Sequence, residues 1–246
     1  MQLIKGKLPK PRRVLLFGPN FSGKSTQASS FPDVIFFDIE SSLDDIDCCR
    51  TPRLKTIGEV YQAIGMLGKG EFGKFSWVAI DTIDWVEKLI QADVAASNKA
   101  ESFGDTKFDY GRGRKLCRPY WEKLVKGLDW LIESCEIGLL LLAHSTTIDV
   151  TPPDRDKFQR IESALDADAR DMLCDWVTEL IYIAPQAQTR SVDAGFNRER
   201  AISLKGEQRR VIQTTPYTGL RAKNRLNLES EVECIEKDTL KKLIVG

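Results

Sequence analysis

The sequence predicts an α/β domain, a central and mostly parallel sheet flanked by helices. Three observations carry this expectation. Short apolar runs of strand length recur along the chain, stretches with helical spacing separate them, and the first strand-to-helix junction carries the run GPNFSGKST.

The elements follow in order. Arg13 to Phe17 is a short buried strand, and Lys24 to Ser30 begins a helix. Val34 to Ile39 is the second strand, Ile57 to Leu67 a helix and Phe75 to Ile80 the third strand. A helix starts at Ile83, with Val86, Ile90 and Val94 at helical spacing. A polar, glycine-bearing loop from Ser97 to Arg114 leads to a second amphipathic helix, with Trp121, Leu124, Val125, Leu128, Ile132 and Cys135 on one face. Ile137 to Ala143 is the fourth strand. Ser145 to Arg160 has two prolines and no periodicity, so it is expected to be unstructured. Ile161 to Cys174 is expected as a helix and Trp176 to Ile183 as the fifth strand. RERAISL and RRVIQTT, joined by KGEQ, predict a C-terminal β-hairpin turning at Gly206, and DTLKKLI a short closing helix. The expected organisation is a short extension over 1–12, one domain over 13–230, and a C-terminal segment with a short helix over 231–246.

Composition narrows the class. No apolar run approaches the roughly 18 residues needed to span a bilayer, and MQLIKGKLPKPRR has no apolar segment of a signal peptide. The six cysteines make neither a CxxC pair nor a metal spacing, which fits a reducing cytoplasm. The formal net charge of zero hides local asymmetry. Lys107 to Arg118 has five bases and one acid, Gln186 to Arg225 nine bases and three acids, and Thr151 to Leu180 eight acids and four bases. An anionic partner would therefore meet a local basic surface.

Gly18, Pro19, Asn20, Phe21, Ser22, Gly23, Lys24, Ser25 and Thr26 fit GxxxxGK[ST] between a strand and a helix, where a phosphate-binding loop must lie. The expected ligands are ATP and Mg²⁺: backbone amides wrap the β-phosphate, Lys24 reaches the β and γ oxygens, and the Ser25 hydroxyl ligates the metal. FSWVAIDTID brings an apolar run to Asp81 at the C-terminal edge of the sheet, beside that loop, where an acid can hold a magnesium-bound water. VIFFDIE ends on Glu40, an acid able to polarise an attacking water, or else a solvated member of the acidic run ending at Asp47. LLLLAHSTT ends an apolar run on His144, the only histidine. It is either a packed core residue or, with a strand ending at Ala143, a polar group on the same ligand-binding edge as Asp81.

In this order, the P-loop, FFDIE, VAID and LLLLAH resemble the RecA-like ATPase core. The resemblance implies that Glu40 activates water, Asp81 serves the metal site, and His144 senses the γ-phosphate and signals to the DNA-binding loop after it. Lys223, Asn224 and Arg225 resemble the KNR motif of RadA-like proteins, which implies that Lys223 and Arg225 reach a neighbouring subunit's nucleotide like an arginine finger. GPNFSGKST with DIESS, YGRG and AKNR is also similar to the small phage ATPases grouped with Sak-type single-strand annealing proteins. That family implies a phage-encoded, ATP-dependent protein that binds single-stranded DNA and promotes annealing. Its implied partners are DNA, further copies of the chain and a single-stranded DNA-binding protein, in the host cytoplasm.

Two segments could hold DNA. Tyr110, Arg112, Arg114 and Lys115 combine cations with an aromatic ring, the chemistry of sequence-neutral single-strand binding. The second segment offers Arg155, Lys157, Phe158 and Arg160 among the interspersed acids Asp149, Asp154 and Asp156. Either could instead be a solvated connection. Only 17 residues precede Gly18, fewer than the extra domain or packed helix of filament-forming relatives, so assembly is expected to be induced by ATP or DNA. Two alternatives stay open: a P-loop nucleotide or metabolite kinase, although the hairpin pattern of the basic segment Arg190 to Arg210 argues against its being a lid, and an ATP-switched assembly factor that binds no DNA.

Overall fold

A strand that is apolar on both faces must lie inside a sheet covered on both sides. The structure, a computed structural model, describes residues 5–6, 10–154, 156–186, 189–193, 199–203 and 209–246. It opens with β1 (Arg13–Gly18), α1 (Lys24–Ala28), β2 (Val34–Asp38), β3 (Cys49–Arg50), α2 (Ile57–Gly68) and β4 (Trp77–Asp81). Then come α3 (Ile83–Ser97), α4 (Arg112–Cys135), β5 (Gly138–Val150), β6 (Phe158–Ser163), α5 (Ala167–Trp176) and β7 (Glu179–Pro185). The chain closes with β8 (Thr189–Asp193), β9 (Glu199–Ser203), β10 (Arg210–Gln213), β11 (Lys223–Asn224), β12 (Glu231–Glu233) and α6 (Thr239–Ile244).

The sheet order is β12-β10-β7-β1-β5-β4-β2-β3, with β11 on β7 and β6 on β5. The strands from β7 to β3 run parallel, while β10, β11 and β12 join antiparallel. Side chains alternate across each strand, so β1 sends Leu15 and Phe17 to one core and Val14 and Leu16 to the other. The first core is roofed by α2, α3, α4 and α5; the second lies beneath α1 and α6. Helix α2 starts where the Thr56 hydroxyl accepts the Glu59 N–H at 3.2 Å, capping an otherwise unsatisfied donor. At the other end of the chain, Gln27 on α1 accepts the Leu240 N–H at 2.8 Å and donates to Glu236 O at 2.7 Å, tying α6 to the helix after the P-loop.

Several expectations are corrected. Ser145 to Arg160 is ordered, because β5 continues past Ala143 to Val150 and pairs antiparallel with β6, Ser145 opposite Ser163 and Val150 opposite Phe158. Polar alternation, with Thr146, Ile148 and Val150 set between polar neighbours, suits a ribbon paired along one edge. The expected helix from Ile161 begins at Ala167, since Phe158–Ser163 is that partner strand. The loop expected to reach Arg114 ends at Gly111, so Arg112, Arg114 and Lys115 open α4. A β-hairpin is present, but its strands are β8 and β9; β10 instead pairs with β7 and β12. Gly206 lies outside the described residues.

The β5–β6 ribbon is fastened at its base by a buried carboxylate. Glu162 is 1% exposed and meets Arg160 at 2.6 Å, Arg221 at 3.8 Å and Arg170 at 3.9 Å. Removing one partner of a buried ionic cluster leaves the other charges uncompensated. Glu162→Ala is therefore expected to lower unfolding free energy by about 3 kcal/mol in a denaturant titration; a loss under about 1 kcal/mol would show that the arginines stabilise themselves in solvent.

Candidate active site

The parallel strands end together at one edge. Gly18 of β1 lies opposite His144 of β5, Leu142 of β5 opposite Asp81 of β4, and Asp81 opposite Asp38 of β2. The loop after β1 therefore lies at the same sheet edge as His144 on β5 and the acids that end β4 and β2. Backbone geometry explains its glycines. A Cβ on Gly18 would lie 2.0 Å from Ile183 O on β7, and Gly23 caps α1 at φ 92°, in the region that favours glycine. Ser22 is fully buried, and its hydroxyl has no hydrogen-bond partner among the described residues.

The cleft between these elements is about 420 Å³, lined by Asn20 to Thr26, Glu40, Ser42, Ile46, Asp81, Thr82, His144 and Arg210. Lys24, 6% exposed, donates to Gly18 O at 3.1 Å and Pro19 O at 2.9 Å. Burial lowers its pKa, against the pull of Asp81, Asp84 and Glu40. Ser25 Oγ donates to Asp81 Oδ2 at 2.7 Å. Burial pushes the Asp81 carboxyl up to about 6, despite that hydrogen bond.

Glu40 is placed by backbone. The N–H groups of Ile39 and Glu40 both donate to Asp81 O, at 3.0 and 3.2 Å, which bends the chain after β2 toward β4. Its carboxylate accepts the Thr82 hydroxyl at 3.4 Å and lies 3.8 Å from His144 Nε2. His144 is gripped from α3: its N–H donates to Asp84 Oδ1 at 3.0 Å, and Nδ1 meets Asp84 Oδ2 at 2.8 Å. The alternative for Glu40, a solvated member of the acidic run, does not match this packing, with its side chain 24% exposed.

The hydrogen bond to Asp84 raises the His144 pKa above 6.5, against burial. Burial resists ionisation of Asp84, yet its bonds to the His144 side chain and backbone win and hold its carboxyl below 3.8. The signs differ. The raised imidazole contributes stability in full below 6.5 and loses it as pH rises through the folded value. The depressed carboxyl contributes above 3.8 and loses it as pH falls through its own folded value. The pair is thus tightest between 3.8 and 6.5 and loosens on the alkaline side. Because His144 is the sole histidine, its ring NMR signal titrates without overlap. The midpoint is expected above 6.5 and is expected to fall in Asp84→Asn; an unchanged midpoint would remove Asp84 as its cause.

Other expected residues lie elsewhere. Lys223 donates to the carbonyls of Cys174, Asp175 and Val177 at 3.2, 2.8 and 2.7 Å, capping the end of α5. Arg225 is exposed beside Arg12 and Arg13, at the edge of the sheet opposite the P-loop, with its N–H on Glu179. Tyr110 is 97% exposed at φ 54°, just before the exposed Arg112, Arg114 and Lys115. Arg114 is 3.7 Å from Asp166. On the ribbon, Lys157 pairs with Asp149 at 2.8 Å and Arg160 with Glu162, so both bases are already matched by acids; Phe158 is half-buried. Arg155 lies outside the described residues. Sequence reading missed Thr82, Asp84 and Arg210. Asp84 was signalled by its place three residues after Asp81 in the first helical turn, where an acid is favoured; Arg210 was hidden in a long basic stretch.

A phosphate loop after β1, a buried acid at the end of β4 and a RecA-like sheet define the P-loop ATPase class. The chain belongs to the family described as AAA domain (AAA_24), matched over residues 10–226. Among solved structures it is similar to the crystal structure of the RadB recombinase, with a TM-score of 0.50 and 12% identity over 93% of this chain and 90% of that one. At that identity the likeness shows the fold. No curated protein matches the sequence. No helix among the described residues is long and apolar enough to cross a membrane.

Proposed function

We propose that this protein is a phage-encoded, ATP-dependent recombination protein that binds single-stranded DNA and promotes its annealing, with magnesium-dependent hydrolysis resetting the bound state. One observation carries the reading: β5 is a single strand that holds His144 inside the nucleotide cleft and then leaves the sheet edge as the β5–β6 ribbon. A group that responds to nucleotide is thus rigidly joined to an exposed arm.

The donor set fits Mg²⁺, a hard cation that takes oxygen ligands and keeps several waters. Ser25 and Asp81 present a hydroxyl and a carboxylate 2.7 Å apart, and the burial that disfavours ionised Asp81 is relieved by a cation beside it. A Mg²⁺ held by Ser25 and Asp81 would supply positive charge against the nucleotide's phosphates. Lys24 exchanges its two loop carbonyls for phosphate oxygens. Glu40, within reach of the cleft and steadied by Thr82, accepts a proton from the attacking water. His144, its Nδ1 occupied by Asp84, presents Nε2 to the terminal phosphate.

Arg225 cannot reach its own cleft from the opposite sheet edge, which supports action on a second copy. Lys223, spent on three carbonyls, holds the segment that presents it. For DNA, the ribbon offers Lys157, Phe158 and Arg160, and the segment before α4 offers Tyr110 with Arg112 and Lys115, whose cations lack ion-pair partners among the described residues. The test is fluorescence anisotropy of a labelled oligonucleotide with and without ATP, followed by an annealing assay on complementary strands. Binding that strengthens with ATP and weakens in Tyr110→Ala supports the reading. Absence of binding at low salt removes it.

A further inference from the structure

Two adjacent arginines end the basic stretch before β10, and the pleat of the sheet sends them different ways. Arg209 pairs with Glu233 at 3.5 Å, at the outer edge of the sheet. Arg210 lines the P-loop cleft. Its guanidinium lies against Gly23: a Cβ built on that glycine would stand 3.6 Å from Nη1, 3.7 Å from Cδ and 3.8 Å from Cζ. Among the described residues Arg210 has no ion-pair partner and its side chain makes no hydrogen bond.

The backbone beneath this cation is fixed. Arg210 stands in register with Pro185 of β7, and its carbonyl accepts the Cys234 N–H at 2.7 Å. Sheet order sets the side from which it approaches. From β1, the strands β5, β4 and β2 lead to His144, Asp81 and Glu40, whereas β7 and β10 lie on the other flank. The groups suited to the terminal phosphate therefore lie on one side of the P-loop, and Arg210 lies on the other.

An exposed guanidinium with no acid paired to it among the described residues, held by a sheet at the rim of a phosphate cradle, is complementary to a polyphosphate. Its planar fork suits two non-bridging oxygens at once. We propose that Arg210 binds nucleotide in cis, on the α and β phosphates, from the flank away from Asp81, Glu40 and His144. This deepens the reading of the cleft as an ATP site and rests on it. The contact is common to ATP and ADP, so it stabilises the ground state and the transition state equally and contributes to affinity rather than to the chemical step.

The test compares ATP and ADP affinity, by displacement of a fluorescent nucleotide, with steady-state turnover in wild type, Arg210→Ala, Arg210→Lys and Arg209→Ala. Losing a charge-assisted contact is expected to weaken both ATP and ADP about tenfold to a hundredfold in Arg210→Ala. KM rises to match, while kcat stays within about twofold, the signature of uniform binding. Arg210→Lys keeps part of the affinity and Arg209→Ala all of it. Nucleotide-free melting temperatures are expected to match wild type, since the Arg210 side chain is exposed and makes no pair among the described residues. Unchanged affinity for both nucleotides in Arg210→Ala overturns the proposal. So does a loss confined to ATP, which would move the residue to the γ-phosphate, or a loss of kcat alone. Wild type that binds neither nucleotide overturns the reading of the cleft itself, a result distinct from the other three.

Discussion

Glu40→Gln is expected to cut ATP turnover at least about a hundredfold, the typical worth of a positioned general base, while ATP affinity stays near wild type. The amide is isosteric, and its oxygen can still accept the Thr82 hydroxyl, 3.4 Å from Glu40 Oε2. The backbone bend that places residue 40, through Asp81 O, is untouched. What disappears is proton acceptance and one negative charge beside His144 Nε2, 3.8 Å away. Equilibrium binding of ATP and single-turnover hydrolysis separate the two effects. Hydrolysis at the wild-type rate would move water activation to another group.

Lys24→Ala is expected to lower turnover about a thousandfold or more, because preorganised charge aimed at a transferring phosphoryl group is a dominant catalytic term. Here the loss also reaches binding. The ammonium is buried and held by Gly18 O and Pro19 O, so it is already desolvated and needs only to exchange those carbonyls for phosphate oxygens. Arginine is not expected to rescue it, since a planar guanidinium does not fit a slot built for a point charge. Measurable turnover above a tenth of wild type in Lys24→Ala would place the essential cation elsewhere.

The sheet was legible because its inner strands are apolar on both faces. RVLLF, VIFFD, WVAID and LLLLA could be read as strands, and the P-loop fixed the polarity of the first. The edge strands were not legible. β3 and β11 have two residues each, and their pairing depends on neighbours that sequence alone does not supply. The β5–β6 ribbon does not read as strand because its residues alternate weakly and carry prolines at the turn, while its base is held by Glu162 with Arg160 on the same strand and the more distant Arg170 and Arg221.

The site divides the same way. Lys24, Ser25, Asp81, Glu40 and His144 all line one cleft, because each ends or follows a parallel strand and parallel strands end at one edge. Asp84 and Arg210 escaped notice because nothing in their local sequence shows what they face. Asp84 meets His144 across 60 positions, and Arg210 meets Gly23 only through the β7–β10 pairing. For Lys223, the motif resemblance gives no sign of its bonds to three carbonyls at the end of α5.

In the proposed function, β5 couples nucleotide chemistry to DNA. Its most direct test is steady-state ATP turnover with and without a single-stranded oligonucleotide, at low and moderate salt, in wild type and in His144→Ala. Stimulation by DNA that fades as salt screens the phosphate contacts, and that disappears in His144→Ala while ATP binding persists, is the predicted result. Turnover in wild type that ignores DNA, or that requires a small phosphoryl acceptor instead, would contradict the account.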